Sequence, residues 1–144
     1  MRVAIGNDHV GYNLKLILMD ALREWGYEPV DQGCDSTQSV DYPVYGEKIG
    51  RAVASGECDI GVAVCGTGAG ISLAANRVHG VRAVCCSDEY TAEYTRRHND
   101  TNVLCIGARV LTPERTLRLV KLFLATPFEG GRHARRVAML DDIH

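Results

Sequence analysis

The sequence predicts one α/β domain in which a five-stranded parallel sheet carries helices on both faces. Short apolar runs alternate throughout with segments of helical periodicity, the pattern of a chain built from βαβ units. The length, 144 residues, is that of one ordinary domain. No long linker, repeat or low-complexity tract interrupts residues 1–144, which read as a single unit. Right-handed crossovers join such units into a doubly wound, Rossmann-like fold.

Arg2 to Gly6 reads as a short buried strand. The helix after it lines up Leu14, Ile17, Leu18, Ala21, Leu22 and Trp25 on one face and ends at Gly26. Glu28 to Asp31 is a second strand, and Gly33 to Pro43 a polar loop. Val44 to Ala54 is helical, with Ile49 and Val53 inward, and stops near Gly56. Asp59 to Val64 forms the third strand, Ile71 to Asn76 belongs to a short helix, and Val81 to Cys86 is the fourth strand. Asp88 starts a helix running to Arg97, and Asn102 to Gly107 completes the sheet. Thr112 caps a helix through Leu124 whose first turn accommodates Pro113. Beyond Pro127, Gly130-Gly131 introduces a last helix, Arg132 to Asp142.

Hydrophobic residues make up 46% and charged residues 24%, as in soluble globular proteins. A net charge of −2 offers no broad basic surface, so nucleic acid is not an expected partner. No stretch has the roughly 18 apolar residues of a membrane span, and Met1 to Gly6 lacks a secretory core; a cytoplasmic location is expected. The six cysteines, Cys34, Cys58, Cys65, Cys85, Cys86 and Cys105, show no C-x-x-C spacing. They read as reduced thiols, with Cys85, Cys86 and Cys105 in the core, and no metal site is expected.

In open α/β sheets ligands bind beyond the carboxyl ends of the strands, which here carry Asp8 and His9, Cys65 to Gly70, Ser87 and Asp88, and Arg109. In Val64-Cys65-Gly66-Thr67-Gly68-Ala69-Gly70-Ile71-Ser72 a thiol stands at the mouth of a glycine turn whose N–H groups can face an anion. A buried cysteine before an ordinary turn gives the same pattern. The P-loop lysine is missing, the glycines run G-x-G-x-G rather than G-x-G-x-x-G, and Ile71 stands where a Cys-x5-Arg phosphatase needs arginine.

Asp8-His9 suits a sugar hydroxyl or phosphate, and Asp8 equally suits a turn that caps the next helix. His98-Asn99-Asp100-Thr101-Asn102 offers an imidazole proton donor, or plain turn chemistry. Arg132 and Arg136, four apart, share a helix face that grips a phosphate dianion or simply meets solvent.

Together these segments resemble the type B ribose-5-phosphate isomerase family, which also contains galactose-6-phosphate and allose-6-phosphate isomerases. The likeness spans nearly the whole chain: Asp8-His9 with Gly11, Asp41-Tyr42-Pro43, Ser55-Gly56-Glu57, Cys65-Gly66-Thr67-Gly68 with Gly70-Ile71-Ser72, Ala75-Asn76, Arg82-Ala83, His98 to Asn102, Gly107-Ala108-Arg109, and Glu129 to His133 with Arg136. The resemblance implies a metal-free, cofactor-free aldose–ketose isomerase of the pentose phosphate pathway, acting on ribose 5-phosphate and ribulose 5-phosphate through a cis-enediolate. It implies Cys65 as the base, Gly66, Thr67, Gly68, Ala69 and Gly70 as the anion hole, and His98 as the group that opens the ring. Asp8 would handle hydroxyl protons; His9, Arg132 and Arg136 would hold the phosphate; Asn99 and Arg109 would complete the pocket.

It implies also a homodimer or tetramer whose sites are shared, so that the last helix, His98, Asn99, Arg109 and the C-terminal arginines serve a neighbour's Cys65. Two alternatives stand beside this reading: a six-carbon sugar phosphate as substrate, and a non-catalytic sugar-phosphate-binding subunit.

Overall fold

The computed structural model describes all 144 residues. Strands β1 (Arg2–Asn7), β2 (Glu28–Asp31), β3 (Ile60–Cys65), β4 (Ala83–Cys85) and β5 (Val103–Gly107) alternate with six helices. The helices are α1 (Tyr12–Glu24), α2 (Tyr42–Ala54), α3 (Ala69–Ala75), α4 (Glu89–Asn99), α5 (Pro113–Ala125) and α6 (Arg132–Asp141). The sheet has the order β2-β1-β3-β5-β4 and every pairing is parallel, the doubly wound arrangement expected.

Strand periodicity divides the core in two, because successive side chains point to opposite faces. Val3, Ile5, Ile60, Val62, Val64, Leu104 and Ile106 pack with Leu18 and Leu22 of α1 and Leu119 and Phe123 of α5. Ala4, Ala63, Cys65, Val103 and Cys105 face the other way, against Ile49 of α2 and Ile71 of α3. That second face is built of small residues so that α2 can lie close. A Cβ at Gly6 would stand 2.5 Å from Ile49 Cδ1, and one at Gly61 2.9 Å from Ile49 Cγ2.

Four local expectations are corrected. Helix α2 begins at Tyr42, so Pro43 lies in its first turn, where the missing N–H has no partner to lose. Strand β4 shrinks to Ala83–Cys85, because it pairs only with β5 and Asn102 Oδ1 takes the Arg82 N–H at 2.7 Å. Ile17 is 42% exposed, on the outer shoulder of α1, whereas Lys15 is buried and binds Asp31 Oδ2 at 3.1 Å and the Cys34 carbonyl at 2.6 Å. Cys85 is exposed rather than core.

Both sheet edges are blunted. On β4 the Asn76 amide accepts from Ala83 N at 2.8 Å and donates to Ala83 O at 2.9 Å, in place of a sixth strand. On β2, Pro29 pairs with Val3 and has no N–H to offer outward.

Asp100 ends α4 in a left-handed conformation (φ 48°). Its carboxylate meets Arg96 at 2.9 Å and Arg82 at 3.4 Å, and Arg82 also reaches Asp141 at 3.0 Å, tying α4, β4 and α6 together. The two arginine side chains are only 14% and 18% exposed, so loss of the shared carboxylate leaves their charges poorly compensated. Asn tolerates the left-handed backbone, so Asp100→Asn isolates the charge. It is expected to lower unfolding free energy by about 1–3 kcal/mol, read as a lower urea midpoint at unchanged slope.

Candidate active site

The loop after β3 is fixed by its own backbone. Gly68 has φ +83°, and a Cβ there would meet Cys85 Sγ and the Ile106 carbonyl carbon, each at 2.9 Å, so only glycine fits. Gly68 N donates to Cys65 Sγ at 3.2 Å, and Ala69 N to Thr67 Oγ1 at 3.2 Å. Two N–H groups expected in the anion hole are thus engaged internally. Those of Gly66, Thr67 and Gly70 carry no hydrogen bond within the chain and remain available.

The Cys65 sulfur accepts this N–H from its own loop, whereas the Cys34 sulfur accepts from the Asn7 side-chain amide. Burial, assisted by Asp88, pushes Cys86 up to about 11. Complete burial also raises Cys105 well above the ordinary thiol value, and partial burial and the nearby Cys65 raise Cys85. Cys85 nonetheless touches the site: its thiol donates to the Thr67 carbonyl at 3.4 Å, on the far side of the peptide whose N–H meets Cys65. Sequence reasoning missed that contact.

Asp8 follows β1 on the same rim, its N–H donating to Val64 O at 3.1 Å. Its Oδ1 accepts from Val10 N (2.9 Å) and Gly11 N (3.3 Å), the capping reading, while the second oxygen stays free for a ligand. Lys15 supports this end of β1 indirectly, since Cys34, whose carbonyl it holds, accepts from Asn7 Nδ2 at 3.2 Å. His9 Nδ1 accepts from Val40 N at 3.1 Å. A backbone N–H can only donate, so Nδ1 is the bare nitrogen and Nε2 carries a proton suited to an anionic oxygen. Arg109 completes the group: its N–H meets Gly66 O at 3.0 Å, and its Nη1 lies 3.7 Å from where a Gly66 Cβ would be. The resemblance put Arg109 with the residues that serve a neighbour, whereas here it adjoins its own chain's loop.

The remaining expected residues lie at the opposite rim of the sheet. Helix α4 starts at the Asp88 cap beyond β4 and returns to Val103, the first residue of β5, which pairs with Gly61. His98 and Asn99 therefore sit by the strand beginnings, while Cys65 ends β3 four residues beyond Gly61, roughly 13 Å along the strand. His98, Asn99 and Arg136 line a cavity of about 370 Å³ with His133, Val137 and Leu140. Arg132 opens α6 there. His98 Nε2 lies 3.7 Å from Glu129 Oε2, and its ring stacks on His133 with centroids 4.1 Å apart. Burial, then the neighbouring His98 and Arg132, push His133 below the usual histidine range. Glu129 and His133, four apart in the quoted motif, were the legible but unread signal.

A larger cavity, about 450 Å³, adjoins this half between β4 and the end of α6, with Val81, Val84, Leu140 and Ile143 in its walls. No helix of the chain is long and apolar enough to cross a membrane.

The family model described as ribose/galactose isomerase matches residues 3–140. Ribose-5-phosphate isomerase B of Escherichia coli (strain K12) is 46% identical over 142 residues, 99% of this chain and 95% of that protein. The solved structure of Clostridium thermocellum ribose-5-phosphate isomerase B superposes with a TM-score of 0.97 at 48% identity, covering 99% of this chain and 96% of that one. Ribose-5-phosphate isomerase B from Mycoplasma genitalium, solved with bound ribulose 5-phosphate, gives 0.93 at 36% identity, covering 97% and 93%. A thiol at the end of β3, a glycine cradle around it and this full-length likeness have one common reading: the chain belongs to the ribose/galactose isomerase family.

Proposed function

We propose that this chain interconverts D-ribose 5-phosphate and D-ribulose 5-phosphate, with Cys65 as the base. The observation that carries the reading is the Cys65 sulfur, held by Gly68 N–H beside three free backbone donors, the arrangement an enediolate requires. His98 gives a proton to the ring oxygen as the bond from C1 to that oxygen breaks, and the free Asp8 oxygen takes the C1 hydroxyl proton. The Cys65 thiolate then moves a proton from C2 to C1 and the C2 hydroxyl proton passes to the C1 oxygen, while the N–H groups of Gly66, Thr67 and Gly70 meet the enediolate oxygens. His9 Nε2–H, Arg132 and Arg136 hold the phosphate, and Asn99 and Arg109 border the sugar.

The reaction works between two copies. His98, Asn99, Arg132 and Arg136 of one chain serve the Cys65 rim of its neighbour, and α6 carries them across. The separation of the two sets supports this, as does α6 itself: it buries only His133 and Val137 and leaves Met139 and Leu140 58% and 50% exposed. The apolar walls of the larger cavity suit a second copy of the chain.

Cys65→Ala is expected to abolish both isomerisation and solvent-proton exchange into ribulose 5-phosphate. His98→Asn is expected to slow isomerisation by about a hundredfold or more yet leave exchange running, because ribulose 5-phosphate is already open-chain. Full activity of Cys65→Ala ends the assignment of the base. Mixing these two variants after subunit exchange should restore roughly a quarter of wild-type activity, since half the dimers then own one intact site; no recovery argues for a site within one chain. Ribose 5-phosphate should show a higher kcat/KM than allose 6-phosphate or galactose 6-phosphate, and the reverse order would transfer the enzyme to six-carbon substrates.

A further inference from the structure

Between α5 and α6 the chain turns through two left-handed glycines, Gly130 (φ 70°) and Gly131 (φ 56°). Glu129 N donates to Arg97 O at 3.0 Å, which ties the turn to the end of α4, and His133 N donates to Gly130 O at 3.1 Å as α6 begins. The Glu129 carboxylate then faces two imidazoles at once. Its Oε2 lies 3.7 Å from His98 Nε2 and its Oε1 3.8 Å from His133 Nε2.

The His98 and His133 rings are parallel, 10° apart in plane and 4.1 Å between centroids, and Tyr94 meets His98 edge-on at 5.2 Å. His133 is only 7% exposed, and its Nε2 is buried with no hydrogen-bond partner. The three donor atoms lie within 4.8 Å of one another, but parallel rings 4.1 Å apart aim their lone pairs side by side rather than at one point. The group is therefore poorly shaped as a cation cage, which needs converging ligands.

We infer that Glu129 and His133 are positioning residues for His98: Glu129 engages its Nε2, His133 backs its ring, and Nδ1 is left as the nitrogen that meets the sugar. The inference rests on the ring-opening role proposed for His98. Which imidazole nitrogen acts is set by the hydrogen bond the other one makes. At 3.7 Å the carboxylate is in charge contact, and a shift of under about 1 Å makes the hydrogen bond. The groups facing this centre are Tyr94 and Arg97 from α4, Glu129 from the turn, and Arg132, His133 and Arg136 from α6. Arg97 Nε, 3.6 Å from Glu129 Oε2, steadies the carboxylate from outside. With Nε2–H so held, the imidazolium form of His98 offers the ring oxygen its Nδ1 proton and is left as the Nε2–H tautomer.

Glu129 is 44% exposed in its side chain, so substitution there leaves the core alone. Glu129→Met removes the acceptor at similar size, and Glu129→Gln retains one acceptor oxygen. The Met variant is expected to isomerise ribose 5-phosphate about tenfold or more slowly while exchanging solvent protons into ribulose 5-phosphate at close to the wild-type rate, with Gln intermediate. In ¹⁵N spectra of histidine-labelled protein the His98 tautomer balance should move with it. Wild-type isomerisation by Glu129→Met, in an enzyme that His98→Asn impairs, overturns the inference. So does parallel loss of isomerisation and exchange. If His98→Asn itself isomerises normally, the failure lies instead with the parent role.

Discussion

Every strand in this sheet runs the same way, and a parallel neighbour is reached only by carrying the chain back across a face. Each crossover therefore delivers strand ends to one rim and helix ends to the other. Cys65 finishes β3 at the first rim, and His98 comes near the end of α4 at the second. No side-chain rotation closes a gap imposed by chain direction. Under the proposed reaction, catalysis is coupled to assembly by topology, and each copy contributes a different half of the chemistry at each of its two rims.

The two sheet faces are unequal for a related reason. Branched aliphatic residues fill the side under α1 and α5, while Ala4, Gly6, Gly61 and Ala63 let α2 approach the other. Cys65 belongs to this small-residue face, and the tight fit continues into its loop, where Gly107 is equally constrained: a Cβ there would stand 2.7 Å from the Thr67 carbonyl. The backbone around the thiol is held by close packing from β5 and by the Thr67–Gly68 peptide, whose two ends touch Cys85 and Cys65. Donors fixed in this way need little reorganisation when charge develops beside them.

The alternation of strands and helices was legible because buried parallel strands leave continuous apolar runs such as Ile60 to Val64. Boundaries were less so. Whether Pro43 ends a loop or starts a helix depends on the N–H it lacks, which either element tolerates. The length of β4 depends on Asn76 and Asn102 taking backbone groups that a longer strand would use. Ile17 and Lys15 reversed the simple polarity rule, because Asp31 and the Cys34 carbonyl give the ammonium a buried seat. The rim bearing Asp8, His9, Cys65 and Arg109 followed from strand ends alone. The pairing of His98 with Glu129 and His133 needed a turn through two left-handed glycines, which composition marks but does not aim.

The Asn76 amide on β4 and Pro29 on β2 bear on a different property. An open sheet edge is an invitation to pair with the next molecule, then the next. Here one edge already has its Ala83 donor and acceptor occupied, and the other presents a residue with no donor. Association through strand addition, which has no natural end, is discouraged on both sides. Under the proposed dimer, self-recognition falls to the helical surface, where contacts related by a twofold axis close on themselves and growth stops at a defined number of subunits.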